Sequence, residues 1–497
     1  MHPKKVLFVD DEPNILAEFS RMLRSLGQGY DLYFATSGKD ALEIMEKNKF
    51  DIVFSDMRMP GMDGAQFLTA VMEKYPQTLR ILLTGHADEQ SIESTLGVVH
   101  QFLEKPCSPE TIKMILRRDL PEMINDGQPR LQVRQGKSKK RDVQEAVREL
   151  AEQIKQPNSR VYLVFFSEEY DPQLLGRALQ EHLPGTVIGC TTAGQLSETG
   201  FQQGGISGAS LASDELSVVP YLIHPLSSRA EHVSRIAEDV QERISLSELT
   251  AFGFLLVDGL SMQEEPLISA LYMALGNVPI VGGSAGDSLK FKHTFVYYDG
   301  ELLQDAAVFA LFLTTLPFHV FKHQHFIPTA IKLVITAADP EKRLVMEING
   351  EQAVLAYAEL IGKSVDQLNP TVFSQHPLML RIGDDYYVRS ISNIEPDGSL
   401  KFFCAIDTGS VLTIGKGNSA IEALNRDLQK VKGCIGDPAV IIGCDCILRR
   451  LEMEERGIDE SVGRLMAKSK VVGFSTYGEQ FNSVHINQTF TGIAIAG

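Results

Sequence analysis

Short apolar runs alternate with helix-period stretches along the whole 497-residue chain. In the first 120 residues the runs at 6–9, 52–55, 81–83 and 101–103 each deliver polar residues at their ends. These are Asp10, Asp11 and Glu12, then Asp56, then Thr84, then Lys105. Helix-like segments at 14–26 and 39–47 lie between them. The alternation predicts a doubly wound, five-stranded parallel sheet over 1–120, with all four polar tips at the carboxyl edge where such sheets bind ligands.

Beyond residue 130 the pattern changes. A strand at 161–166, a helix at 172–182 and a second strand lead into VIGCTTAGQ (187–195). The same order, with strand 251–257 and helix 265–275, leads into IVGGSAGD (280–287). It appears again, with strand 439–443 and helix 452–468, before VVGFSTYGE (471–479). Each small-residue turn is followed by an apolar return, in SGASL, AVFALF and TGIAI. One β-α-β-turn-β unit thus occurs three times, and its irregular period excludes a solenoid. The expectation is a larger α/β (α+β) body of duplicated halves, dividing into 131–334 and 335–497. Residues 121–130, with Pro121, Gly127 and Pro129, read as a linker. Ser138 is expected to cap a helix over 139–154.

Composition narrows the class. The chain is 44% hydrophobic and 22% charged, with formal net charge −17. Acidic balance and the absence of a basic recognition helix argue against a nucleic-acid partner. The longest apolar stretch, 306–321, is short and interrupted, which argues against a membrane span. Six cysteines without paired spacing, and no signal peptide, imply a reduced, cytoplasmic compartment. The C-x-C of Cys444 and Cys446 is not zinc spacing.

The strand tips of the first 120 residues suggest phosphoryl chemistry. Clustered carboxylates hold a hard cation such as Mg²⁺ through oxygen. With that charge neutralised Asp56 can attack a phosphoryl donor, while Lys105 and Thr84 hold the phosphoryl oxygens. This segment resembles the receiver domain of two-component response regulators. The resemblance implies that Asp56 is the phosphoacceptor, that Asp10, Asp11 and Asp56 carry Mg²⁺ with the Arg58 carbonyl, and that Thr84, Lys105 and Phe102 form the switch. A histidine kinase or hybrid kinase would be the phosphodonor, and a downstream signalling protein would read the result. His86, two residues after Thr84, is unusually bulky beside the site.

The turns are not phosphate loops. Residues 189–194 have Walker-A glycine spacing, but Gln195 replaces the lysine and a strand, not a helix, follows. Three corners beside polar strand tips point instead to a ligand cavity. The turns, the Cys446-x-x-Arg449 element and their order resemble the FIST domain, with FIST-N and FIST-C halves over about 131–497. That resemblance implies a sensory module for a small ligand, such as an amino acid. Its expected lining is Cys190, Thr191, Thr192, Gly194, Asp258, Gly283, Ser284, Asp287, Arg389, Cys446, Arg449, Thr476 and Glu479. Arg449 or Arg389 would hold a ligand carboxylate, and Asp258, Asp287 or Glu479 its ammonium. Three alternatives remain open: an enzyme using Cys190 or Cys446, a pure protein-interaction output, and a haem sensor using His319, His323 or His325.

Overall fold

The computed structural model describes residues 4–23, 30–75, 78–84, 101–104, 112, 130–245, 249–276, 278–383 and 385–497. It divides into two compact units, one of Met1–Gln128 with Gln429–Gly436, the other of Pro129–Leu428 with Asp437–Gly497.

In the first unit, strands Lys4–Val9, Tyr30–Ala35, Ile52–Asp56, Leu79–Thr84 and Gln101–Glu104 form one parallel sheet in the order 2-1-3-4-5. The first helix, Pro13–Met22, begins on a proline, whose missing N–H costs nothing there. Ser37 caps Gly38–Lys47, and Asp63 with Gln66 forms a reciprocal capping box on Gly64–Lys74. Phe8 stacks on Phe19, Phe34 and Phe54, fixing the sheet against that side of the core. The five-stranded parallel sheet expected from the pattern is present.

The second unit holds three six-stranded sheets of one design. The first has central strand Ser159–Phe166, turn strand Val187–Thr191 and return strand Ile206–Ala212, with Gln132–Ser138 at the edge. The second uses Thr250–Val257, Ile280–Ser284, Ala307–Thr314 and edge strand Leu216–Ile223. The third uses Pro438–Cys446, Val471–Thr476, Phe490–Ala496 and edge strand Phe318–His323. Beyond each turn strand sits a hairpin borrowed from another unit. The hairpin after the first turn (Gln195–Ser197, Gly200–Gln202) joins the third sheet. That after the second (Val296–Tyr298, Glu301–Leu303) joins the first sheet, and that after the third (Glu479–Phe481, Val484–Ile486) joins the second.

The duplicated halves expected from sequence are therefore three units exchanging hairpins in a ring. The inner faces of all three sheets, including Phe165, Ile188, Phe254, Val281, Ile442 and Phe474, share one apolar core. The expected boundary at 334/335 falls inside strand Phe326–Asp339, and the sheets mix strands from both sides of it.

Ser138 does not cap a helix. Residues Gln132–Ser138 pair with the return strand, and Asp142 caps Val143–Ile154 by accepting from the Glu145 N–H. The helix expected over 452–468 is two, Ile447–Glu455 and Asp459–Lys468, separated at Gly457 with φ of 65°. A lobe of residues 326–417 has its own apolar core around Ile335, Tyr357 and Leu412. Its chain enters and leaves side by side, at Phe326 opposite Gly417.

Candidate functional site

In the first unit Asp10 follows the first strand and Asp56 ends the third, each nearly buried. Asp10 accepts from the Glu12 N–H at 2.9 Å, and Asp56 from the Arg58 N–H at 3.0 Å. Asp11, Met57, Arg58, Pro60 and Asp63 line a concavity of about 500 Å³ beside them. Thr84 ends the neighbouring strand, one step beyond Leu83, the residue paired with Asp56. Phe102 lies on the fifth strand, but the side chains of Thr84 and Phe102 are outside the described residues, as are Lys105 and His86. The residues expected to hold a cation offer oxygen donors only, the chemistry Mg²⁺ prefers, although no group of three carboxylate, histidine or cysteine residues placed to hold a metal ion occurs among the described residues.

In the second unit the three turns answer one another. Gly189, Gly282 and Gly473 occupy the same position of their strands. A Cβ on them would stand 2.2, 2.0 and 1.8 Å from the carbonyl oxygens of Val164, Leu255 and Gly443. No side chain fits where two strand backbones approach so closely. Past the glycines the chains bond in a ring. Ala193 N–H donates to Ser475 O, Gly286 N–H to Thr191 O, and Tyr477 N–H to Ser284 O, at 3.0, 3.0 and 3.3 Å. The turns thus close on one another.

Most of the expected ligand lining is engaged in this closure. Thr191 Oγ1 accepts from Phe295 N–H, Thr192 Oγ1 donates to Phe166 O, and Thr476 Oγ1 donates to Ser284 O. Gly194 (φ 144°) packs on the Arg450 guanidinium, and Gly283 on Phe474 and Cys444. Asp287 accepts from the N–H groups of Phe291, Lys292 and His293 and from the Tyr477 hydroxyl. Asp258 accepts from Leu260 N–H, Asp305 N–H and the Thr294 hydroxyl. Both carboxylates are occupied in shaping their own loops, so the expectation that either binds a ligand ammonium gives way to a structural role. Burial pushes the thiols of Cys190, Cys444 and Cys446 well above their usual range, so none is a ready nucleophile.

The third unit departs from the other two on its outer face. Where the first two sheets place Phe166 and Val257 under apolar helices, the third places Asp445. Asp445 Oδ1 accepts from Arg449 Nε at 2.8 Å, with both residues fully buried. Arg449 Nη1 lies 3.5 Å from His325 Nδ1, and His325 Nε2 lies 2.9 Å from Glu452, which also pairs with Arg456. His323 Nδ1 lies 2.7 Å from Asp427. Burial lowers both histidines, His323 to about 4, so both are neutral at pH 7. His319 is likewise lowered by burial. Asp445 Oδ2, Arg449 Nη2 and Ser475 Oγ have no protein partner. Glu479, also fully buried, takes Thr489 N–H and Oγ1–H on one oxygen, and its other oxygen is unpaired.

Arg389 is elsewhere. It donates to His485 O at 2.6 Å, where the lobe meets the sheets. Beside it Arg343 of the lobe clamps Glu264 and Glu265 at 2.6 and 2.8 Å. Burial, partly offset by Arg343, pushes Glu264 from its usual 4.5 up to about 7. A carboxyl raised on folding binds more protons in the native state, so stability falls as pH rises through that window. We expect the melting temperature to fall between about pH 4.5 and 7, and Glu264→Gln to flatten that slope. An unchanged slope in the variant would remove the assignment.

Glu452, Gln480, Asn487 and the Arg343 clamp were not signalled by sequence, and His325 was signalled only as a haem candidate. They lie in different elements that only the tertiary fold brings together.

Residues 6–117 match the family model of the response regulator receiver domain, 160–351 that of the FIST N domain, and 353–482 that of the FIST C domain. Over 111 residues the chain is 33% identical to the transcriptional regulatory protein GlrR of Escherichia coli, covering 22% of this chain and 24% of that protein. The chain therefore spans about a quarter of the length of such curated relatives. It is 24% identical over 395 residues to the uncharacterized protein MJ1623 of Methanocaldococcus jannaschii, covering 69% of this chain and 75% of the other. Among solved structures, chemotaxis response regulator CheY4 of Vibrio cholerae is 34% identical, covering 23% of this chain and 98% of that one, with a TM-score of 0.22.

Proposed function

From a chain that joins a response regulator receiver domain to FIST N and FIST C domains, we propose a phosphorylated signalling protein whose FIST body holds a small ligand. A histidine kinase or hybrid kinase supplies the phosphoryl group. A carboxylate oxygen of Asp56 attacks phosphorus, the phosphorus–nitrogen bond of the donor phosphohistidine breaks, and the imidazole leaves with the electron pair. Asp10, Asp11, Asp56 and the Arg58 carbonyl would hold Mg²⁺, which when bound offsets the negative charge shared by carboxylate and phosphate. Thr84 and Lys105 then hold the phosphoryl oxygens, and a downstream signalling protein reads the altered face. The observation behind this half is the placement of Asp10 and Asp56 at the ends of adjacent parallel strands.

The ligand reading rests on the third unit's outer face. The Asp445–Arg449 pair uses one bond and leaves one guanidinium nitrogen and one carboxylate oxygen unpaired in a buried setting. Unpaired buried groups of this kind cost about 1–3 kcal/mol each, and a zwitterion such as an amino acid offers a carboxylate to one and an ammonium to the other. A thermal-shift series of the full chain against the individual amino acids tests it, because a ligand bound only to the native state raises the melting temperature. One amino acid class should stabilise the wild type, and Asp445→Asn, which keeps the shape but exchanges acceptor for donor, should lose the response. A response unchanged in that variant, or none in the wild type, removes this site from the proposal.

A further inference from the structure

Where the lobe meets the hairpin Glu479–Phe481/Val484–Ile486, three buried side chains gather around His485. Arg389 Nη1 donates to its carbonyl at 2.6 Å, and Gln480 Nε2 lies 3.2 Å from its Nδ1. Asn487 lies beside the ring: a Cβ on Gly478 would stand 2.2 Å from the His485 ring and 3.1 Å from Asn487 Nδ2. Gln480 and His485 face each other across the hairpin, on one face, and Asn487 follows two residues after His485, just past the strand.

Each of the three gathered side chains has unpaired atoms. Arg389 Nε, Gln480 Oε1 and both ends of the Asn487 amide have no protein partner, although Gln480 and Asn487 are fully buried and Arg389 is 7% exposed. A buried primary amide with neither end bonded is rare in native proteins. Above the pH of about 7 at which Glu264 ionises, Arg343 and Arg389 are balanced by Glu264 and Glu265. An added net charge would therefore go uncompensated in a buried setting, which is costly.

We propose that this junction is a binding site for a small uncharged carboxamide or cyclic amide. One amide oxygen accepts from Arg389 Nε and Asn487 Nδ2, and the amide N–H groups donate to Asn487 Oδ1 and Gln480 Oε1. All four unpaired atoms are then used, and no charge enters. The site is separate from the Asp445–Arg449 pair and does not depend on it.

The test uses the full chain and three probes of like size at equal concentrations: acetamide, acetate and ethylammonium. Acetamide should raise the melting temperature and the two ions should not. Asn487→Leu should raise the melting temperature of the probe-free protein, because it removes an unpaired polar group, and should abolish the acetamide response. Asp445→Asn should leave that response intact, which separates this site from the zwitterion site. Equal responses to all three probes, or an acetamide response surviving Asn487→Leu, would overturn the proposal. So would an Asn487→Leu protein of lower stability with no acetamide response in the wild type, since the amide would then be satisfied by internal water alone.

Discussion

Asp56→Asn is expected to reduce phosphoryl uptake from acetyl phosphate by at least roughly three orders of magnitude, or about 4 kcal/mol of barrier. The amide keeps the shape of the carboxylate, so the N–H of Arg58 retains an acceptor and the fold should survive. What is lost is the anionic oxygen that makes the new bond to phosphorus, and no neighbour replaces it. Asp10 is held by the Glu12 N–H at the tip of the first strand, and its proposed role is to hold the cation rather than to attack. A phosphate-dependent mobility shift in the presence of Mg²⁺ measures the effect directly. A band of wild-type intensity in the variant would mean that another carboxylate is the acceptor.

The first unit was legible because its information is local. Strand, helix and strand follow one another in sequence, and their caps (Ser37, and Asp63 with Gln66) lie within a turn of what they cap. The chemistry of such a sheet gathers at its carboxyl edge by topology alone. Asp10, Asp56 and Thr84 therefore land at neighbouring strand ends without any knowledge of packing.

The second unit was legible only in part. Three echoes of one unit could be read, and their helices fall close to where periodicity places them; Pro172–His182 agrees to the residue. What sequence did not carry is the partner of each hairpin. Gln480 bonds Ser284, 196 residues away, because the third hairpin leaves its own sheet for the second. Small turn residues were expected to admit a ligand, whereas they admit each other. The unpaired polar groups lie behind the third turn, on residues such as Asp445, which adjoins the Cys446-x-x-Arg449 element, and Asn487, whose neighbours in sequence give no motif. His325 is a fair example: sequence offered it as a haem ligand, yet it is buried against Glu452.

Gly473→Ala is expected to destabilise the protein by about 3 kcal/mol or more, a large part of the 5–15 kcal/mol available to an ordinary domain. A methyl group there would lie 1.8 Å from the Gly443 carbonyl oxygen, and 2.7 Å from its carbon. The obstacle is backbone in the middle of a sheet, so no side-chain rotation can relieve it. Strands Pro438–Cys446 and Val471–Thr476 would have to separate, and that movement is transmitted around the ring. Displacing Ser475 pulls its carbonyl from Ala193, and displacing Tyr477 pulls its N–H from Ser284, so all three sheets lose their mutual anchor. Gly189→Ala and Gly282→Ala should act in the same way, at 2.2 and 2.0 Å from their own obstacles. Gly204→Ala is the control. It has φ of 71° and nothing within 4 Å, so it bears only the left-handed backbone cost of about 1–2 kcal/mol. Chemical denaturation of the four variants ranks them, and the three turn glycines should fall together, well below Gly204. If Gly473→Ala matched the control, the ring of turns would be an ornament of the fold, and the stability of the three-sheet body would have to come from its shared apolar core alone.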